Sequence, residues 1–231
     1  MTISSREFYK QHAERYSQVF HEFIQSDFSN ISHSKLADEL NIMRRMKGLI
    51  PLGARGLDAG CGAGARDVYL YWKDSYDMIG FDAGEENIAV AKSQHPEIAH
   101  RVFVGDLNAS IPYEDSSFDF VTCNAVIQHI ERDVVMDSVL PEFARTLRPG
   151  GILQLMFKVG TGEITIYDKD YGVERFFRLY SAEEILQRLK ALGLEIIEEE
   201  EDGLGGVMYF TDTKPVEHCL VFARLNNDGA K

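Results

Sequence analysis

Cysteine is scarce in this chain. The three present, Cys61, Cys123 and Cys219, show no paired spacing. That argues against a disulfide framework and against a zinc site, and it fits a reducing compartment such as the cytoplasm. Long apolar runs are missing too. No N-terminal stretch is built like a secretory signal, and none approaches the length of a membrane span. A soluble, cytoplasmic protein with no membrane partner is expected. Cations are outnumbered: Lys plus Arg total 24 against 37 Asp plus Glu, a net charge of −13. Such a chain repels phosphate backbones and loses the counterion-release contribution to binding, which disfavours nucleic acid as a partner. The only dense basic group, Arg44, Arg45 and Lys47, reads as a solvated helix face. The acidic tract 198–202 has no histidine beside it and reads as a solvated strand end, so no metal site is expected. There is no internal repeat and no low-complexity linker.

What is present suits one domain. A chain of 231 residues, 45% of them hydrophobic, can fill a core. Disorder is expected only in the first few residues and the tail 226–231. Phe8, His12, Tyr16, Val19, Phe20 and Phe23 recur at helical spacing. After a polar break at 26–34, Leu36, Leu40, Met43 and Met46 form a second helical stripe, ended by Gly48, Pro51 and Gly53. Strands and helices then alternate. Strands are expected at 55–58, 76–81, 101–104, 118–124 and 152–158, and helices at 66–72 and 85–93. Met136, Leu140, Phe143 and Leu147 line another helical face. Ser181 and Glu184 form a capping box for a helix carrying Ile185, Leu186, Leu189 and Leu192 and stopped by Gly193. Two late strands follow, at 194–200 and 216–225, while 159–180 reads as a long connection. This order implies an α/β fold, a mostly parallel sheet with helices on both faces.

The first strand-to-helix turn is Gly60-Cys61-Gly62-Ala63-Gly64. In an open parallel sheet such a turn borders the crevice where ligands sit, and glycines let a ligand approach the main chain closely. The next strand ends at Asp82. A carboxylate there can accept hydrogen bonds from both ribose hydroxyls, or cap the helix that begins near Glu85. A dinucleotide loop places its third glycine one residue later, where Ala65 stands. Asp58, just before the loop, would repel a pyrophosphate and suits a ligand carrying an ammonium group.

Leu57-Asp58-Ala59-Gly60-Cys61-Gly62-Ala63-Gly64 resembles the signature of the class I S-adenosylmethionine-dependent methyltransferases. Phe81-Asp82, Val104-Gly105-Asp106-Leu107, Phe118-Asp119-Phe120-Val121 through His129, and Leu147-Arg148-Pro149-Gly150-Gly151 resemble further family segments, in order, over about residues 50–160. The resemblance implies a Rossmann-like, seven-stranded, mostly parallel sheet whose last strand is antiparallel. It also implies a helical lid over residues 1–50 on a domain at 51–226. Its cofactor is S-adenosyl-L-methionine, with Asp58, Ala59, Gly60, Cys61 and Gly62 at the loop, Asp82 and Ala83 at the ribose, Asp106 and Leu107 at the adenine, and Asn124 and Ala125 beside the methionine part.

Methyl transfer from a sulfonium is an in-line displacement, so alignment of the acceptor supplies much of the acceleration. A base is needed only where the acceptor must lose a proton. His129 is the candidate for that role, or else it shapes the cofactor site. Phe8-Tyr9-x-x-x-Ala13-x-x-Tyr16 resembles the opening helix of small-molecule methyltransferases, which would bring Tyr9 and Tyr16 to the sulfonium. Plain aromatic packing is the alternative. Arg66 fixes the loop, reaches the cofactor carboxylate, or forms a surface ion pair. Tyr167, Tyr171, Arg175, Phe176, Phe177, Arg178 and Tyr180 are candidates for the acceptor pocket, and Arg175 with Arg178 would suit a carboxylate-bearing small molecule. A protein acceptor stays open, an RNA acceptor less so, as does a module that binds the cofactor without transferring its methyl group. A nicotinamide-dependent dehydrogenase is remoter.

Overall fold

The computed structural model describes residues 2–24, 26–198, 203–212 and 216–227. Most of the acidic tract 198–202, most of the tail 226–231 and the side chain of Phe23 therefore lie outside the described residues. After a two-residue strand, β1 (Thr2–Ile3), come α1 (Ser5–Phe23) and α2 (Glu39–Leu49). Ser4 caps α1 by accepting from the Glu7 amide, and Asp38 and Asn41 form a reciprocal capping box on α2. Gly48 does not end α2 but lies inside it, and the backbone turns extended at Ile50.

The alternating part follows the expected order. It comprises β2 (Arg55–Ala59), α3 (Arg66–Lys73), β3 (Asp77–Asp82), α4 (Glu85–Gln94), β4 (Val102–Val104) and β5 (Phe118–Asn124). After these come α5 (Arg132–Val134), α6 (Leu140–Thr146), β6 (Leu147–Lys158), β7 (Glu163–Asp168), β8 (Val173–Arg178), α7 (Ala182–Ala191), β9 (Leu194–Ile196), β10 (Val207–Thr211) and β11 (Glu217–Leu225). The main sheet runs β10-β11-β6-β5-β2-β3-β4, with β9 also paired to β11. Strands β4 through β6 are mutually parallel, and β11 is antiparallel to β6. The expected seven strands are met along this path, and the short β9 is an eighth. Strand order reverses at β2, so the crevice at the carboxyl ends opens between β2 and β5.

Period-two alternation sends neighbouring side chains to opposite faces. Val121, Leu155 and Phe157 join α6 and α7 in one core, while Phe120 and Met156 join α2, α3 and α4 in the other. β5 is buried on both faces, as its apolar run anticipates. Between α5 and α6 the helix widens into a π turn at Val135–Val139. Pro141 has no N–H to donate back, and its ring crowds the preceding turn. The expected stripe loses its phase there: Val135 and Val139 take core positions, and Leu147 is buried as the first residue of β6.

Three expectations are corrected. Residues 159–180 are no irregular connection; β7 and β8 form an antiparallel hairpin. Thr2 and Ile3 are part of a sheet, since β1 adds to β8 in parallel as a third strand. The late region has three strands, because β10 is a five-residue apolar run too short to show a period. Tyr180 ties the hairpin to the core by donating to the Ile130 carbonyl at 2.9 Å, with both groups buried. Tyr180→Phe leaves that carbonyl unpaired and should lower stability by about 1–2 kcal/mol, read as a lower denaturant midpoint at unchanged m. No described helix is long and apolar enough to cross a membrane.

Candidate active site

The glycine loop folds back on β3. Gly60 and Cys61 both donate to the Phe81 carbonyl at 2.9 Å, and Gly62 donates to Asp82 Oδ2 at 3.0 Å. Gly60 lies at φ +91, and a Cβ there would overlap the Val126 side chain. Asp82 Oδ1 accepts from the Gly84 amide at 2.8 Å and from Asn87 Nδ2 at 2.9 Å. Gly84, not Asp82, is the N-cap of α4. Asp82 instead braces the loop, and Oδ2, with a single bond made, keeps acceptor capacity toward a ligand.

One cavity of about 440 Å³ opens above this loop, within the usual range for small-molecule sites. Its wall contains Gly60, Cys61, Gly62, Asp82, Ala83, Asp106, Leu107, Asn124, Ala125, His129, Tyr9, Tyr16 and Arg66, all singled out from the sequence. Asp58 and Ala59 are not on it; they lie behind, in β2. The Asp58 carboxylate is buried and accepts from Thr122 Oγ1 at 3.0 Å. Burial, and then the Asp67 charge, push its carboxyl well above the usual range.

Arg66 is a buried hub rather than a surface cation. It pairs with Glu39 of α2 and with Asp67 at 2.9 Å, donates to the Phe20 carbonyl at 2.8 Å and stacks 3.7 Å from the Phe20 ring. Glu39 stands beside Arg66 on the cavity wall, and burial pushes its carboxyl up to about 7.

His129 faces α1. Its Nδ1 lies 2.7 Å from Ser5 Oγ and its Nε2 3.4 Å from the Tyr9 hydroxyl. Arg175 donates to Tyr9 through Nη2 at 3.1 Å and to buried Asp168 through Nη1 at 3.1 Å. With Arg175 donating to Tyr9, the Tyr9 proton is directed at Nε2, and Nδ1 carries the hydrogen toward Ser5. Burial, then the charges of Arg175, Lys158 and Arg178, pull the imidazole down to about 3. His129 is therefore neutral at physiological pH and a poor store for a proton.

Arg175 and Arg178 do not act together. Three residues apart on a strand they face opposite ways; Arg175 reaches the cavity, while Arg178 pairs with Glu131 and lies 3.8 Å from Glu163. Of the hairpin aromatics, Tyr171 and Phe177 line the cavity, Tyr180 is in the core, and Tyr167 is exposed. Met156, Lys158, Phe210 and His218 are among the lining residues that carry no local signal. Lys158 and His218 are register partners across β6 and β11, with Nζ and Nε2 3.0 Å apart. Only the antiparallel pairing brings them together. Among the described residues no cluster of His, Cys, Asp and Glu is arranged to hold a metal ion.

Residues 57–155 match the family model described as a methyltransferase domain. More particularly, the chain is similar to the malonyl-(acyl-carrier protein) O-methyltransferase of Enterobacter lignolyticus, 37% identical over 101 residues, which cover 43% of this chain and 37% of that one. It is also similar to the ubiquinone biosynthesis O-methyltransferase of Aliivibrio fischeri, 26% identical over 175 residues, covering 70% of this chain and 71% of that one. The chain spans 32% to 39% of the length of three of the curated relatives it matches. In fold it resembles the cyclase SpnF, with a TM-score of 0.68 and 18% identity over 96% of this chain and 94% of that one.

Proposed function

We propose that this protein transfers a methyl group from S-adenosyl-L-methionine to a small, acid-bearing acceptor. The observation that carries the reading is the shared cavity. Asp82, Asp106 and the glycine loop come from the β2–β3–β4 side of the sheet, Lys158 from β6, Arg175 and Phe177 from the hairpin strand β8, and Tyr9 and Tyr16 of α1 line the same cavity. The cofactor, when bound, supplies an electrophilic methyl on a sulfonium. Asp82 holds the ribose hydroxyls, Asp106 and Leu107 flank the adenine, and Asn124 and Ala125 border the methionine part. Tyr9 and Tyr16 of α1 act as a lid that excludes water and presents ring faces to the sulfonium.

His129, neutral and bonded to Ser5 and Tyr9, orients the lid rather than removing a proton. Rate then comes from alignment, which suits this chemistry. The roofed cavity and the net charge of −13 favour a small acceptor over a peptide or an RNA strand. Arg175 and Lys158, both under a tenth exposed, lie where an acceptor's acid group would enter.

The test incubates the protein with methyl-labelled cofactor and a cell extract, then separates small molecules from macromolecules by ultrafiltration. Label is expected in the small-molecule fraction. Label in protein or RNA rejects the acceptor class, and no transfer into either fraction favours a module that only binds the cofactor.

A further inference from the structure

Three carboxylates surround one guanidinium behind the glycine loop. Glu39 comes from α2, Asp67 from α3 and Asp58 from β2, with Arg66 among them. The group is out of water: the side chains of Arg66, Glu39 and Asp67 are 4%, 11% and 12% exposed, and Asp58 is buried. One cation cannot balance three buried anions, and a low-dielectric site relieves the excess by keeping a proton. Only Glu39 and Arg66 reach the cavity wall, side by side, a carboxylate next to a guanidinium. An α-amino acid end presents the matching pair, ammonium next to carboxylate.

We propose that Glu39 is a specificity residue for the ammonium of the cofactor's amino-acid end, and that binding this ammonium expels a proton from the Glu39–Asp67–Asp58 cluster. The proposal rests on the cofactor reading above and deepens it. Before binding, the excess proton is kept within the cluster, with Asp58 pushed well above the usual range by burial and the Asp67 charge, and Glu39 held up to about 7 by burial against the opposing pull of Arg66. The ammonium brings a second cation to the cluster, the carboxyl ionises, and its proton passes to the solvent. The other charged or titratable groups acting on the cluster are Asp212, Asp82, Tyr71, Cys61 and Cys123. None of them is a cation that could take the ammonium's place. Deprotonated Glu39 is the binding form, so affinity rises with pH through about 7 and levels off above it.

The experiment titrates S-adenosylhomocysteine into the wild-type protein by calorimetry, in buffers of different ionisation heat, between pH about 6 and about 7.5. A proton is released on binding, most completely at the acid end. Affinity improves about eight-fold across the range, the ratio set by a carboxyl titrating near 7. 5′-Methylthioadenosine, which lacks the amino-acid end, binds with neither effect and serves as a control that needs no variant. Glu39→Gln removes the proton release and flattens the pH dependence. Binding of S-adenosylhomocysteine without proton release, or an unchanged slope in Glu39→Gln, overturns this inference and leaves the proposed function standing. No binding at all overturns both.

Discussion

Asp82→Ala is expected to weaken binding of S-adenosylhomocysteine by one to two orders of magnitude. Two losses combine. The ribose loses a charge-assisted acceptor, a removal of about 1.5–3 kcal/mol. The loop also loses its brace, because Asp82 holds the Gly62 amide through one oxygen and Gly84 and Asn87 through the other. Asp82→Asn separates the two: it keeps a carbonyl for one side of this network but removes the charge. An intermediate affinity is expected for Asn, with the largest loss for Ala. Calorimetry reads both, and an unchanged dissociation constant in Asp82→Ala rejects the ribose role.

Gly60→Ala is expected to damage both stability and cofactor binding. At φ +91 the backbone resists any side chain, and the added methyl would overlap Val126. Backbone strain accounts for about 1–3 kcal/mol and overpacking for a similar amount. Against a typical total of about 5–15 kcal/mol, that loss is large. The amides of Gly60 and Cys61 would move off the Phe81 carbonyl, and cofactor binding should become undetectable. Adding Val126→Ala relieves the overlap but not the strain, so the double variant should recover part of the stability. Denaturant unfolding checks this; parent-like stability and affinity in Gly60→Ala would mean the loop is not constrained as described.

What was legible in the chain is what is local. The glycine turn, Asp82 at the end of β3, the buried run of β5 and the Ser181 cap are each written within a few residues. The carboxyl-end crevice follows from strand–helix order alone, whereas most of the cavity residues follow from the family resemblance. The acceptor end was largely hidden. Lys158 and His218 meet through antiparallel pairing of strands far apart in sequence, a contact with no local trace. Glu39 reads as an ordinary first-turn acid of α2 until the fold seats it on Arg66. Arg175 and Arg178 can act as a pair only on an irregular segment; on a strand, odd spacing sends them apart. Asp58 is a related case. Its proximity to the loop was plain, but its burial behind the wall depends on β5, where Thr122 meets it.

On the proposed function, one cavity holds the cofactor with its sulfur toward His129, Lys158 and Arg175. A crystal structure with S-adenosylhomocysteine bound tests it most directly. The ribose hydroxyls are expected on Asp82, the adenine beside Asp106 and Leu107, and the sulfur open to Tyr9 and Arg175. A ligand lying in the reverse direction, or outside this cavity, would contradict it.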